Sequence, residues 1–304
     1  MSADLSVNIA GVEFKNPVIT ASGTFGFGEE YNKFYSISLL GGISCKGTTL
    51  YPREGNPPVR IAETPMGILN SVGLQNPGVD EFIDRHLPFL SQHDAVIIAN
   101  IAGSTEDEYV EAVRRLNGTC VDMVELNISC PNVKEGGVAF GTKPESVEKI
   151  TSAVKKVCEQ PLMVKLTPNV TDITETALAA EAAGADAVSL INTLTGMRID
   201  IKTGRPVLHN NIGGMSGPAV FPVALRMVWQ VANKVSIPVV GMGGISTWQN
   251  AVEMLLAGAS AIQVGTACFN DVFAPLKIID GLRKYLDENG YSSVSELTGG
   301  VEIW

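Results

Sequence analysis

The sequence predicts a closed (β/α)8 barrel, in which eight parallel strands are enclosed by a ring of helices. Short apolar runs, each ending at a small or polar residue, alternate along the chain with amphipathic segments. The runs have continuous apolar character rather than strict alternation, which is typical of strands covered on both faces. A doubly wound open sheet is the alternative, but no G-x-G-x-x-G turn follows an early strand as that fold requires.

The eight apolar runs are the predicted barrel strands. They comprise residues 17–21, 42–45, 95–99, 123–126, 162–165, 187–191, 238–241 and 261–264. Five segments between the runs are predicted helices, because several open with a capping residue or proline and close near a glycine. These helices comprise residues 105–116, 144–158, 172–183, 218–233 and 247–257. Such alternation requires right-handed crossovers and a parallel sheet.

The first fourteen residues predict a small hairpin that closes the bottom of the barrel, with a turn over residues 8–12. We find no repeat, linker or low-complexity segment, so residues 1–304 are expected to form one barrel domain with loop insertions at its C-terminal face. At 304 residues, a single α/β barrel is an ordinary size.

Composition excludes several classes of protein. Lys and Arg total 22 against 32 Asp and Glu, giving a net charge of −10, so a nucleic-acid binder is not expected. With 45% hydrophobic residues the chain is not disordered, yet no run reaches the roughly 20 apolar residues that span a bilayer. The first residues lack the pattern of a signal peptide, so a cytoplasmic protein without membrane association is expected. Five widely spaced cysteines and three histidines show no metal-ligand spacing.

The residues that follow the predicted strands should form the active site, because barrel enzymes build it at the carboxyl ends of their strands. These residues are Ser22-Gly23-Thr24, Lys46-Gly47, Asn100, Asn127 with Cys130, Lys165, Asn192-Thr193, Gly243-Gly244 and Gly265-Thr266. Two lysines, a cysteine and several asparagines predict a site for an anionic, planar, hydrogen-bonding ligand. The set lacks the carboxylate pair of a glycosidase.

Glycines after the last two strands predict a phosphate site. Segments 241–245 and 264–266, together with Ser216-Gly217-Pro218 at a helix start, can present backbone N–H groups to an anion. The alternative is that they are only tight turns between strand and helix. Because barrels often bind phosphate at this place, we favour a phosphorylated ligand.

Cys130 directly follows the fourth strand, and Pro131 prevents a helix from continuing there. Its polar surroundings predict a catalytic thiol, whereas the other four cysteines are expected to be inert. The segment 134–141, with glycines near both ends, is expected to close over this cysteine, and an ordinary surface loop is the alternative.

Lys165 ends an apolar strand, so its ammonium group must find an anion or lose its proton. Lys46 is predicted to face the same pocket, with exposure on a loop as the alternative.

Five motifs together resemble the class 1 dihydroorotate dehydrogenases over nearly the whole chain. They are Lys46-Gly47-Thr48-Thr49, residues 70–78 (NSVGLQNPG), residues 127–132 (NISCPN), Lys165-Leu166-Thr167-Pro168 and residues 241–244 (GMGG). The resemblance implies an FMN barrel enzyme that oxidises dihydroorotate to orotate in pyrimidine biosynthesis. Class 2 enzymes carry Ser where this chain has Cys130 and add an amphipathic N-terminal extension, so class 1 fits better.

Residues 70–76 and 195–206 are similar to the catalytic subunit of class 1B rather than class 1A. That class passes electrons to NAD through a second subunit carrying FAD and a [2Fe–2S] cluster, around a homodimer core within a heterotetramer. The chain has neither an iron–sulfur cluster motif nor a dinucleotide-binding fingerprint. This agrees with an enzyme whose second subunit carries the cluster and binds NAD.

The resemblance also implies a role for individual residues. Cys130 would act as the base at C5 of dihydroorotate while a hydride leaves C6 for the flavin, and Lys165 would stabilise negative charge on the reduced flavin. The implied FMN contacts are Gly217, Gly243, Gly244, Gly265 and Thr266 at the phosphate, with Ser22, Lys46, Gly47, Asn100, Asn127, Lys165 and Ile191 along the rest of the cofactor. The implied substrate contacts are Lys46, Asn70, Ser71, Val72, Gly73, Leu74, Asn127, Asn192 and Thr193.

Two alternative functions remain at this point. One is a class 1A-like enzyme that uses fumarate directly. The other is a flavin-free phosphosugar lyase or isomerase in which Lys165 forms a Schiff base with its substrate.

Overall fold

The computed structural model describes residues 3–128 and 140–304, and its centre is a closed barrel of eight parallel strands. The strands of the described residues are β1 Val7–Ile9, β2 Val12–Phe14, β3 Val18–Thr20, β4 Gly42–Ser44, β5 Ile61–Thr64, β6 Gly67–Asn70, β7 Val96–Ile101, β8 Met123–Asn127, β9 Leu162–Lys165, β10 Ala187–Leu190, β11 Leu194–Gly196, β12 Ile199–Asp200, β13 Arg205–Pro206, β14 Gly213–Ser216, β15 Val239–Met242 and β16 Ala261–Val264. Around the barrel the order is β3, β4, β7, β8, β9, β10, β15 and β16, which pairs again with β3.

Helices follow most of the barrel strands. They are α1 Val79–Glu81, α2 Leu87–Leu90, α3 Glu106–Leu116, α4 Pro144–Lys155, α5 Ile173–Ala182, α6 Phe221–Ala232, α7 Trp248–Leu256, α8 Ala267–Asn270 and α9 Ala274–Asn289. A π-helical turn at Phe82–His86 joins α1 to α2, and 3₁₀ turns lie at Tyr31–Lys33, Ile37–Leu39, Pro218–Val220 and Val294–Leu297. Within the described ranges, no helix is long and apolar enough to cross a membrane.

The prediction of a (β/α)8 barrel is confirmed, and each of the eight apolar runs contains or overlaps one barrel strand. The five predicted helices are also present, with small differences at their ends. The helix expected over residues 144–158 ends at Lys155, because Val157 and Cys158 turn back with their N–H groups on the Val154 carbonyl. The helix expected from Pro218 begins as a 3₁₀ turn before α6.

Side-chain caps explain where three of the helices begin. Thr105, Asp172 and Thr247 have extended backbones, and each side chain accepts a hydrogen bond from a backbone N–H in the first turn of α3, α5 or α7. These bonds satisfy N–H groups that have no partner inside the helix.

The N-terminal hairpin of β1 and β2 is confirmed, and it closes the amino end of the barrel. The fully buried Phe14 ring lies against Gly42 at the start of β4, so close that a Cβ on Gly42 would come within 2.8 Å of the ring. Only glycine therefore allows this packing without a shift of the ring.

A four-stranded antiparallel sheet, in the order β11, β14, β6 and β5, covers the carboxyl end of the barrel. The sequence predicts loop insertions here but not this sheet. Its strands have only three or four residues, and β14 begins Gly213-Gly214, so neither length nor apolar alternation marks them. The sheet positions Asn70, at the end of β6, and the loop that follows it; together these hold five of the nine expected substrate residues.

Candidate active site

A cavity of about 480 Å³ lies at the carboxyl ends of the barrel strands, beneath the four-stranded sheet. Its volume is within the usual range for cofactor and small-molecule sites. Most of the residues singled out from the sequence line it. These are Ser22, Lys46, Gly47, Asn70, Val72, Gly73, Leu74, Asn127, Lys165, Ile191, Asn192, Thr193, Gly243, Gly244, Gly265 and Thr266.

Three of the expected site residues lie outside the cavity lining. Asn100 is buried one layer below the cavity, Ser71 is fully buried behind the loop, and Gly217 lies behind Gly244. Cys130 lies outside the described residues, as does most of segment 134–141. The catalytic role of Cys130 and the closing of that segment therefore stay predictions.

The backbone after β15 and β16 forms a cradle with free N–H groups. The N–H groups of Gly243, Gly244, Gly265 and Thr266 donate to no acceptor within ranges 3–128 and 140–304. Gly244 has a φ of +75°, and a Cβ there would lie 2.7 Å from the Gly217 carbonyl oxygen. The space and the unsatisfied donors suit a phosphate group.

The floor of the cavity carries a buried cation. Lys165, at the end of β9, is only 4% exposed, and its Nζ donates to Ser22 Oγ at 3.3 Å. The charge of Lys165 interacts with the carboxylate of Glu125, which is entirely buried in β8. A planar ligand above this floor would therefore have a positive charge against one edge.

A nearby cation and four hydrogen bonds favour the ionised form of Glu125 despite its burial. Burial by itself raises the pKa of this carboxyl, but the Lys165 charge and hydrogen bonds from Ser44, Ser189 and Gln263 outweigh it, so the pKa lies below its ordinary value. The buried charge is thus balanced within the barrel.

Asn76 joins two of the loops that line the cavity. Its Oδ1 accepts from the N–H groups of Thr49 and Gly78, and its Nδ2 donates to the Leu74 carbonyl at 2.7 Å. Leu74 itself has a φ of +55°, which a side chain rarely adopts. The Asn76 amide therefore stabilises the turn that brings residues 70–74 to the cavity.

The opposite wall is built from the loop after β10. Asn192 Oδ1 accepts from the Thr193 N–H at 2.8 Å, and Asn169 Nδ2 donates to the Thr193 carbonyl at 3.0 Å. A Cβ on Gly214 of β14 would lie 2.0 Å from Thr193 Oγ1, so the covering sheet packs directly on this wall. The Thr193 side chain therefore lies against the backbone of β14.

Among the site residues that the sequence did not indicate, two are polar side chains on barrel strands. Gln263 of β16 lines the cavity, and its buried Oε1 has no hydrogen-bond partner among the described residues. Glu125 lies directly beneath. Both residues could have been identified from the sequence, because each is a polar side chain inside an apolar run. Lys165 is identified in the same way.

The fold and this cavity define a barrel enzyme whose site suits a phosphorylated, planar cofactor above a buried lysine. A family model described as dihydroorotate dehydrogenase matches residues 4–286 of the chain. The chain belongs to the dihydroorotate dehydrogenase family, and this membership implies a flavin.

Relatives with the same printed name cover nearly the whole chain. A protein of Alkaliphilus metalliredigens named "Dihydroorotate dehydrogenase B (NAD(+)), catalytic subunit" is 57% identical, over 98% of this chain and 99% of its own length. A protein of Petrotoga mobilis with that name is 54% identical, over 97% of this chain and 99% of its own length. A protein of Bacteroides thetaiotaomicron with that name is also 54% identical, over 99% of this chain and 100% of its own length.

Proposed function

We propose that this chain is the catalytic subunit of an NAD-linked dihydroorotate dehydrogenase, which oxidises dihydroorotate to orotate in pyrimidine biosynthesis. The observation that carries the proposal is the identity of 54–57% over nearly the full length of relatives that bear this name. The word "subunit" in those names supports a partner protein for this chain as well.

FMN is the flavin that we propose for the cavity. The phosphate would occupy the cradle of N–H groups after β15 and β16, because a flavin without phosphate would leave those donors unsatisfied. When bound, FMN accepts the hydride that leaves C6 of dihydroorotate. The residues proposed to hold it are Ser22, Lys46, Gly47, Asn127, Lys165, Ile191, Gly243, Gly244, Gly265 and Thr266, with Asn100 and Gly217 acting from behind them.

The Lys165 charge has a defined task in this proposal. Negative charge that develops at the edge of the cofactor is stabilised by a cation that is already buried and fixed, so little reorganisation is needed during the reaction. The contact of Nζ with Ser22 Oγ supports an ammonium group held in one orientation.

Dihydroorotate would bind against the outer part of the cavity. Lys46 would pair with the substrate carboxylate, and the amides of Asn70, Asn127 and Asn192 would bind the alternating N–H and C=O groups of the ring. The remaining proposed contacts are Ser71, Val72, Gly73, Leu74 and Thr193. Cys130, which lies outside the described residues, is proposed as the base that removes the C5 proton.

The proposed assembly has residues 1–304 as a single FMN domain in a homodimer core. A second subunit with FAD and a [2Fe–2S] cluster would take the electrons to NAD, giving a heterotetramer in the cytoplasm. The cavity lining has no carboxylate among the described residues, which suits an anionic substrate.

The test is to purify the chain alone and together with its co-expressed partner. Mass analysis of the released cofactor should give FMN, and only the complex should reduce NAD⁺ rapidly with dihydroorotate. Rapid turnover of the isolated chain with fumarate would instead favour the class 1A alternative. A colourless protein that borohydride links to a phosphosugar through Lys165 would refute the proposal in favour of a lyase.

A further inference from the structure

The carboxylate of Glu125 joins four strands of the barrel directly beneath the cavity. It is fully buried, and four side chains on four different strands donate hydrogen bonds to its two oxygens. The donors are Ser44 of β4 at 2.6 Å, Asn100 of β7 at 2.6 Å, Ser189 of β10 at 2.8 Å and Gln263 of β16 at 2.7 Å. Neighbouring barrel strands are already joined by backbone hydrogen bonds. The four side-chain hydrogen bonds to Glu125 are therefore not needed to pair the strands.

An ionised carboxylate accepts hydrogen bonds and cannot donate one, so it fixes the orientation of each amide beside it. Asn100 turns its Nδ2 towards Glu125, and its Oδ1 then accepts from Asn127 Nδ2 at 3.2 Å. Gln263 likewise turns its Nε2 downwards. Both Asn127 and Gln263 line the cavity, so the orientation of two amides in its floor follows from one buried charge.

Glu125 is also the counter-charge to Lys165. The two residues interact through space, while the Lys165 ammonium group donates to Ser22 in the cavity wall. Asn127 and Lys165 are paired in register on β8 and β9, which places the oriented amide and the cation side by side.

We propose that Glu125 is a positioning residue of the flavin site. It fixes the Asn127 amide through Asn100 and the Gln263 amide directly. It also lowers the reduction potential of bound FMN, because its negative charge balances the positive charge of Lys165. This inference rests on the proposed function, because it concerns FMN in the cavity. It adds a role for a residue that would touch neither the cofactor nor the substrate.

The test is the midpoint potential of FMN bound to Glu125→Gln, measured by equilibrium titration against a reference dye. Gln keeps the size of the side chain but removes the negative charge beneath the cavity, so reduction becomes easier. We expect about a tenfold larger equilibrium constant for reduction, which is a rise of about 30 mV for a two-electron couple. Orotate should also bind more weakly. The NH₂ group of Gln donates a hydrogen bond where a Glu125 oxygen accepts one, so one amide in the cavity floor must rotate to present its oxygen.

The matched control is Asp122→Asn. Asp122 immediately precedes β8, and its carboxylate accepts from the Ile97 N–H at the other end of the barrel. Asn removes the same charge and can still accept that bond, so the potential should not change. An unchanged potential in Glu125→Gln with FMN bound, or an equal rise in Asp122→Asn, would overturn the inference.

Glu125→Asp keeps the test decisive if Glu125→Gln does not fold. Asp retains the charge, but its shorter side chain cannot reach donors on all four strands. The potential should stay near that of the wild type while orotate affinity falls, and unchanged orotate affinity would overturn the inference. A wild-type protein that binds no flavin would instead refute the proposed function itself.

Discussion

Replacing Gly265 by Ala tests the phosphate cradle with little disturbance of the fold. A Cβ at this position would point towards Ala21 and Thr24 in the cavity wall, with its nearest contact at 3.3 Å from Ala21 Cβ. The φ of Gly265 is not in the left-handed region, so Ala adds no backbone strain. The methyl group would occupy space that a phosphate oxygen needs against the N–H groups.

The expected magnitude follows from the loss of one hydrogen bond to a charged phosphate. Such a bond contributes about 1.5–3 kcal/mol, which corresponds to roughly a 10- to 150-fold rise in the Kd for FMN. Riboflavin has no phosphate, so its affinity should change much less. The thermal stability of the apoprotein should remain within about 1 kcal/mol of the wild type.

The assay is titration of the apoprotein with FMN or riboflavin, followed by quenching of flavin fluorescence. Gly300→Ala is the control, because its Cβ has a similar nearest contact, 3.2 Å from the Leu297 carbonyl oxygen, and Gly300 does not line the cavity. Equal losses of affinity for FMN and riboflavin, or no loss for either, would refute the proposed phosphate position.

Three further predictions concern individual side chains. Cys130→Ser should bind orotate but lose most turnover at neutral pH and recover part of it at high pH, because a hydroxyl is a poorer base than a thiolate; unimpaired steady-state turnover at neutral pH contradicts the assignment. Lys165→Met should retain flavin yet show slower flavin reduction in stopped flow, and an unchanged reduction rate would refute the role of Lys165. The same variant should lose about 3–5 kcal/mol of stability in chemical unfolding, because Glu125 is left as an unpaired buried charge. Burial raises the pKa of the Cys45 thiol, and it raises that of Cys268 to about 12, so the thiolate fraction of both is negligible at pH 8. Mass spectrometry after alkylation at that pH should find them unmodified until the protein is unfolded, and rapid labelling of the native protein would show that they are accessible.

The barrel could be predicted from sequence because its strands are buried on both faces. Runs such as residues 95–99 and 238–241 are apolar over their full length, and each has a tight turn and an amphipathic segment beside it. The covering sheet could not be predicted in the same way. Its strands are short, half exposed and rich in glycine, and they are held by pairing between β6 and β14, which are far apart in sequence.

Most of the predicted site residues line one cavity, because the carboxyl ends of parallel strands meet at one end of a barrel. Lys165 was identified because a charge inside an apolar strand needs a partner. Glu125 is likewise a charge inside an apolar strand. Its four donors could not be predicted, because they depend on which side chains of four strands point inward at one level. The position of Asn100 beneath the cavity also depends on that register.

The most direct test of the proposed function is anaerobic addition of dihydroorotate to the purified chain, followed by its visible spectrum. We expect the flavin absorbance to be bleached without any partner or NAD⁺, because both the proposed cofactor and the substrate would bind in this chain. We also expect the bleaching to be slower in Lys165→Met. A flavin spectrum that stays unchanged after dihydroorotate is added to the wild-type protein would contradict the proposed function.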